Sequence, residues 1–247
     1  MIFAAAQSNP VQGAIHDNVE EHFRLIHLAA QHSVELLIFP ELSVTGYVRE
    51  QGHKLALTEF DAAINILVDK AEDYNMHIVA GAPIYKNKQL HIGAYMLGPN
   101  DYLDMYTKQF LHDGEEKFYV PSQQEAPILS LNDEHFAPAI CADIEHEEHP
   151  QKASQDGATI YLPSIFYTPA SIEGAHGKLS GYAQRNSMDV LMSNYVGSCY
   201  GAEAGGRSAF WNNKGDLLGE LNATDSGVLV IDKSESKYQV SAHYLCD

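Results

Sequence analysis

Leu36-Leu37-Ile38-Phe39-Pro40-Glu41 is a short unbroken apolar run, stopped by a proline and followed at once by an acid. Four apolar residues without polar alternation suit a strand buried on both faces, as in a parallel sheet covered by helices. Proline cannot donate to a ladder, so the strand stops and Glu41 lies just past its carboxyl end. Outward from this run the patterns alternate. Ile2 to Gln7 reads as a strand. Asn18 to His32 reads as a helix with Val19, Phe23, Ile26 and Ala30 on one face. Downstream, Thr58 is a candidate cap for a second helix, with Asp61 three residues on and Phe60, Ile64, Leu67 and Ala71 as its inner stripe. His77 to Ala82 is another strand.

The middle of the chain reads differently. Leu90–Leu97 and Tyr102–Tyr106 flank Gly98-Pro99-Asn100-Asp101, which predicts a hairpin. Strands at Ile128–Leu131 and Phe136–Ile140 lead to Cys141. Alternation then resumes, with a strand at Thr159–Leu162, a helix from Gly174 to Met188 and a strand from Val190 to Tyr195. A second hairpin joins Ser208–Trp211 to Leu217–Gly219 through Asn213-Lys214-Gly215-Asp216. Ser226 to Ile231 is the last strand expected. The periodicity specifies an α/β class. Without a Pro/Gly/Ser-rich linker or a repeat, residues 1–247 are expected to form one domain.

Three side chains with chemistry stand where apolar strands end: Glu41, Lys108 and Cys141. Carboxyl ends of strands in α/β sheets are where ligand crevices form. Singly, each has an ordinary explanation: a solvated loop acid, a surface lysine, a small core cysteine. Together they supply a proton acceptor, a fixed cation and a nucleophile. A free thiol titrates near ~8.5 and attacks as thiolate, so a nearby Lys108 is expected to favour that form while Glu41 accepts the proton.

The segments around these residues resemble the nitrilase superfamily of carbon–nitrogen hydrolases. They are Phe39-Pro40-Glu41-Leu42-Ser43 with Thr45-Gly46-Tyr47, then Tyr106-Thr107-Lys108-Gln109-Phe110-Leu111 running on to Gly114-Glu115-Glu116, then Ala139-Ile140-Cys141-Ala142-Asp143. Weaker echoes are Tyr161-Leu162-Pro163-Ser164, Arg185-Asn186 with Asn194, and Gly206-Arg207-Ser208. The resemblance implies a four-layer αββα sandwich of mixed sheets with helices outside. It implies amide hydrolysis through a cysteine thioester, with Cys141 as nucleophile, Glu41 as general base and Lys108 stabilising the oxyanion beside the Ala142 backbone N–H. It implies that Glu116 is the additional glutamate positioning Lys108 or the substrate, and that no metal or organic cofactor is needed. A homodimer or higher homo-oligomer is the expected assembly. Chain length places it nearer the amidase and ω-amidase branches than true nitrilases. A thioester captured by an amine or hydroxyl would make an acyltransferase, and a non-catalytic ligand-binding member is the third reading.

The chain also departs from that pattern. Ala142 replaces the aromatic residue common after the cysteine, and Glu145-His146-Glu147-Glu148 replaces a segment that often begins with a cationic residue. The pocket is expected to involve Tyr47, Glu145, Ile165 and Phe166. A free Glu145 carboxylate would favour an amine-bearing amide over an acid-bearing one. His146 and His149 share metal-ligand spacing, but thirteen histidines make such a pair an ordinary coincidence, and no metal site is expected.

Composition sets outer limits. The 247 residues are 45% hydrophobic, enough for a large core. With 33 acidic and 15 basic residues the formal charge is -18, opposite to a duplex nucleic-acid binder and ill-suited to anionic membranes. No apolar run approaches the ~20 residues of a bilayer span, and Met1–Gln7 lacks a basic leader. Three widely spaced cysteines make no disulfide framework, so a reducing cytoplasm is expected. The expected partner is a small amide.

Overall fold

The computed structural model describes residues 1–235 and 237–246. Its first half runs β1 (Ile2–Gln7), α1 (Ile15–Ala30), β2 (Leu36–Ile38), α2 (Gly52–Leu55), α3 (Ala62–Asp73), β3 (His77–Lys86), β4 (Gln89–Gly98) and β5 (Tyr102–Thr107). The second half runs β6 (Leu129–Leu131), β7 (Glu134–Ile140), α4 (Glu148–Gln155), β8 (Ile160–Ser164), α5 (Ile172–Asn186) and β9 (Asp189–Met192). A small ribbon of β10 (Ser198–Cys199) and β11 (Ala202–Glu203) precedes β12 (Ala209–Trp211) and β13 (Leu217–Glu220). Finally β14 (Gly227–Ser234) and β15 (Lys237–Tyr244) return to the first sheet, whose order is β15-β14-β1-β2-β3-β4-β5. The second large sheet is β13-β12-β9-β8-β7-β6.

Both sheets are parallel at their centres and antiparallel at their edges. β1, β2 and β3 run parallel, as do β7, β8 and β9. The parallel strands are those that read as unbroken apolar runs, because both faces are covered. Phe3, Leu36 and Ile38 face the other sheet and meet Phe136, Ile140, Ile160 and Phe210. The rings of Phe136 and Phe210 stand edge-on to Phe3 at 5.8 and 5.7 Å. Their neighbours Ala4, Ala6, Leu37 and Phe39 point outward under Leu25 and Ile26 of α1 and Leu67 of α3. On the other outer face Ala137, Tyr161 and Val190 pack under Leu179 and Tyr182 of α5. Helix, sheet, sheet and helix thus form the expected four layers, each buried Leu or Phe contributing about 1.5–3 kcal/mol.

Two local readings need correction. Phe60 is 81% exposed, not part of an inner stripe, because α3 starts only after Asp61. The N-cap position is taken by Asp61 rather than Thr58, although the return bond of the expected box is present: Asp61 Oδ2 accepts from Thr58 N at 2.7 Å and from Thr58 Oγ1 at 2.8 Å. β15 was not foreseen. It pairs along the whole of β14 but buries its side chains only partially, so Lys237–Tyr244 lacks the apolar signal of an interior strand.

The inner face of α1 carries more than the expected apolar stripe. Asn18 and His22 are also buried there, and they bind the turn after β2. Asn18 Nδ2 donates to Val44 O at 3.1 Å, His22 Nε2 meets Ser43 Oγ at 3.0 Å, and the His22 ring stacks on Phe39 at 4.0 Å. The helix therefore holds in place the turn that carries Glu41.

Candidate active site

Glu41 sits just past β2 in a turn fixed from several sides. The Tyr195 hydroxyl donates to its carbonyl, and Ser164 Oγ donates to Phe39 O at 2.8 Å. β3 passes so close that a Cβ on Gly81 would stand 2.9 Å from Pro40 O and nearer still to Leu42 N. Both neighbours are backbone and cannot swing away. Gly81→Ala should therefore displace the turn, costing about 1–3 kcal/mol and, if Glu41 shifts by about an ångström, about 10²-fold in turnover. Thermal melts alongside rate measurements check this; a variant with wild-type melting and turnover would refute it.

Lys108 follows β5 and is completely buried. Its Nζ donates to Glu41 Oε1 at 2.7 Å and to Glu115 Oε1 and Oε2 at 3.1 and 2.9 Å. Glu115 also accepts from His112 N at 2.8 Å and from the Tyr47 hydroxyl. The expectation for Glu116 is thus corrected by one residue. Glu116 is exposed, and its Oε2 accepts from Gly114 N at 2.6 Å. Gly114, at φ 89°, starts a 3-10 turn over Glu115–Lys117 that turns Glu115 inward.

Cys141 follows β7 with φ of 40°, a left-handed conformation uncommon outside glycine, at the start of a 3-10 turn over Cys141–Glu145. Asp143 holds this elbow. Its Oδ2 accepts from Ile140 N at 2.9 Å and from the Tyr106 hydroxyl at 2.6 Å. Its Oδ1 accepts from Gln109 N and Phe110 N at 3.0 and 2.9 Å. One buried carboxylate therefore ties the cysteine turn to the two residues after Lys108. Cys141 Sγ lies 3.9 Å from Phe166 O. No hydrogen bond outside its own turn uses the Ala142 N–H among the described residues.

The electrostatics differ from the simple expectation. Burial pushes the Glu41 carboxyl up to about 7, against the opposing pull of Lys108. Burial works against the Lys108 charge, but Glu41, Cys141 and Glu115 outweigh it and raise its pKa. Glu115 is lowered, because Lys108 and the donors from Tyr47 and His112 overcome its burial. The Cys141 thiol is pushed well above its ordinary value by burial and by Glu41, more than Lys108 can offset. Lys108 does pull Cys141 toward the thiolate, as expected, but burial and Glu41 outweigh it and favour the thiol at rest. Glu41 Oε2, meanwhile, is buried without a hydrogen-bond partner among the described residues.

Glu41, Cys141 and Ala142 open onto a cleft of about 420 Å³, lined also by Tyr47, Arg49, His112, Glu145, Phe166 and Tyr167. Tyr47, Glu145 and Phe166 thus line it as expected. Ile165 does not: it is wholly buried in the outer core beneath α5, because strand alternation turns it away and Phe166 inward. Glu145 is not free, since Lys178 pairs with its Oε2 and the Tyr167 hydroxyl donates to its Oε1. Its expected preference for an ammonium group is thereby removed. His149 is engaged by the Tyr106 and Tyr161 hydroxyls at 2.9 and 2.8 Å, while His146 stacks on Phe110 at 3.7 Å. Asn194 anchors the cleft loop, its Oδ1 accepting from Tyr167 N at 3.0 Å. Sequence reasoning missed Glu115, Asp143, Arg49 and Tyr167. Of these, Glu115 and Asp143 lay inside the quoted segments.

Comparison with known proteins shows the family. The family model described as carbon-nitrogen hydrolase matches residues 3–239. A nitrilase from Pyrococcus abyssi is 26% identical over 93% of this chain and 88% of its own. The 2-oxoglutaramate amidase of Bacillus subtilis is 25% identical over 89% of this chain and 86% of its own. Among solved structures, an amidase from Nesterenkonia sp. AN1 superposes with a TM-score of 0.86 at 26% identity, covering 96% of this chain and 94% of that one. In a variant of that amidase acrylamide has undergone Michael addition at the active-site cysteine, and another variant is in complex with butyramide. The chain belongs to the carbon–nitrogen hydrolase family of the nitrilase superfamily, whose enzymes act on carbon–nitrogen bonds other than peptide bonds.

Proposed function

We propose that the protein hydrolyses a small amide through a thioester on Cys141. The observation that carries this is the buried bridge from Lys108 to Glu41 and Glu115 beside Cys141, at one end of a cleft. Glu41, poised near neutrality with an unpartnered oxygen, takes the thiol proton as Sγ attacks the carbonyl carbon. Lys108 Nζ and the Ala142 N–H receive the developing oxyanion. Glu41 returns the proton to the nitrogen and ammonia leaves, with the C–N bond broken and a C–S bond formed. Water then gives Glu41 a proton, attacks the thioester and releases the carboxylic acid; the proton returns to the thiol. A nucleophilic thiol must stay reduced, which suits a reducing cytoplasm. An isologous dimer is proposed with it, and light scattering tests that.

Ammonia release from a panel of small aliphatic amides, including butyramide and acrylamide, tests the reading, with mass spectrometry of the acyl-enzyme and Cys141→Ala as control. Release that persists in Cys141→Ala would refute it.

The pH dependence has a definite sign. The base must be ionised, and burial holds Glu41 at about 7. Turnover should fall about tenfold per pH unit below that point and level off above it. The Cys141 thiol and the Lys108 ammonium, both raised, give no loss of activity through neutrality. A profile flat from pH about 5 to 8 would contradict this assignment of the base.

A further inference from the structure

We propose that a second cleft, beside the β3–β4 turn and separate from the one at Cys141, binds a phosphorylated sugar or a similar polyhydroxy phosphomonoester.

This cleft encloses about 340 Å³ between the ends of β3 and β5, the start of β4 and the segment 120–124. It shares no lining residue with the cleft at Cys141. No carboxylate lines it. In a chain with 33 acidic residues that is a departure. Asp17, Glu21 and Asp225 line the cleft over α1, Glu125, Glu148 and Asp156 the one against α4, and Glu203 the one beside α5. The cation of the acid-free cleft is Lys86. Lys70, Lys152, Lys178 and Lys233 each meet a carboxylate, whereas Lys86 has none within ion-pair distance among the described residues. Its Nζ donates to Gln124 Oε1 at 2.6 Å, so two of its three N–H donors remain for a ligand.

A serine hydroxyl is set beside it. Thr107, only 3% exposed, donates from Oγ1 to Ser122 Oγ at 2.9 Å, and Gln124 N donates to the same oxygen at 3.1 Å. Both lone pairs of Ser122 Oγ are thus engaged, and its O–H is left to donate. Ser122 N donates in turn to Lys108 O at 2.8 Å, which anchors the segment on a buried strand end. His91 Nδ1 meets Val120 O at 2.7 Å. Burial and the Lys86 charge hold this imidazole below its ordinary pKa, so it adds no second cation at neutral pH.

These groups select the ligand. An ammonium is a point charge suited to phosphate, whereas a planar carboxylate is better matched by the fork of a guanidinium. A phosphomonoester also brings several acceptor oxygens, which the ammonium and the Ser122 hydroxyl can share. In a chain of formal charge -18, an anion is drawn only to such a local exception. A bare phosphate would fill only part of the space. The remaining wall carries the amides of Asn87, Gln89 and Gln123, each with donors and an acceptor, as the hydroxyls of a sugar require. No aromatic ring lines the cleft, so a nucleobase would have nothing to stack on.

Calorimetry on the whole protein tests this with glucose 6-phosphate, ribose 5-phosphate, glucose and inorganic phosphate. At least one sugar phosphate should bind one-to-one, about tenfold or more tightly than either glucose or phosphate alone. Lys86→Gln should weaken that binding by about 10- to 100-fold and Ser122→Ala by about 3- to 10-fold. Lys86→Arg, which keeps the charge, should lose less. Arg49→Gln, which alters the cleft at Cys141, should leave the affinity unchanged. Lys86 ends a hairpin strand and makes one side-chain bond, so Lys86→Gln should melt as the wild type does. Failure of both sugar phosphates to bind overturns the proposal, as does equal binding of glucose or of phosphate. An affinity that survives Lys86→Gln, or that falls in Arg49→Gln instead, places the ligand elsewhere and overturns it too. None of these readouts depends on amide hydrolysis.

Discussion

Replacing Glu41 with glutamine is expected to lower kcat for amide hydrolysis by about 10³- to 10⁴-fold and to leave the fold intact. The two halves of that expectation have separate causes. Glutamine keeps the shape of the side chain and an oxygen for Lys108 Nζ, and Glu115 still holds the same ammonium at 2.9 Å. What it would lose is the proposed base. The Cys141 thiol is held well above its ordinary pKa by burial and by Glu41, so almost no thiolate forms without an acceptor beside it. In the proposed mechanism Glu41 acts twice, once for the thiol and once for water, so no later step would rescue the first. Lys108→Met makes the informative contrast. It strands two buried carboxylates and should destabilise the protein by about 3–5 kcal/mol, because breaking a buried ion pair leaves uncompensated charge. Chemical denaturation and single-turnover kinetics on both variants separate the roles. Wild-type kcat in Glu41→Gln would show that the base lies elsewhere.

The sequence exposes the strand-end residues and conceals whatever depends on a turn. Glu41, Lys108 and Cys141 are legible because a buried apolar run must end, and a polar residue at its carboxyl end is conspicuous. Which of two adjacent acids faces Lys108 is not legible. Glu115 and Glu116 differ only in the register of a 3-10 turn, and that register is set by the left-handed Gly114. Ile165 and Phe166 show the same limit in a strand extension, where one residue decides between core and cleft. The pairing of Glu145 with Lys178 joins residues far apart in the chain through the packing of α5 against the cysteine turn, so no local pattern announces it. Arg49 is harder still. It stands in a 3-10 turn over Arg49–Gln51 and is held by Tyr47 Oη and by Asp113 O, the latter far along the chain. The charge state of Cys141 is hidden for a different reason: Lys108 favours the thiolate, as the sequence suggests, but the opposing desolvation of Cys141 is a quantity that only packing supplies.

Asp143→Ala is expected to be the most damaging change outside the reacting groups. Asp143 is fully buried and accepts from three backbone N–H groups and one hydroxyl. Alanine leaves Ile140 N–H, Gln109 N–H and Phe110 N–H without acceptors, and it removes the partner of Tyr106, on whose hydroxyl His149 relies at 2.9 Å. Unpaired buried donors cost about 1–3 kcal/mol each. Allowing for relaxation and water entry, the total should reach about 4 kcal/mol, a large share of a typical folding free energy of about 5–15 kcal/mol. Asp143→Asn should fall between. Its oxygen can keep Gln109 N–H and Phe110 N–H, while its amide faces the Ile140 N–H, donor against donor. Tyr106 can rotate its proton to accommodate the amide, but a backbone N–H cannot, so about 2 kcal/mol should remain lost. Turnover should fall in both variants even where the protein stays folded. The left-handed Cys141, at φ 40°, persists only while its surroundings impose it, and Asp143 is the side chain that joins that elbow to the lysine strand. Urea denaturation gives the stability order, and kcat measured well below the unfolding midpoint gives the positioning effect. If Asp143→Asn matches wild type in both, the carboxylate is merely filling space, and the coupling between the two catalytic segments runs through some other contact.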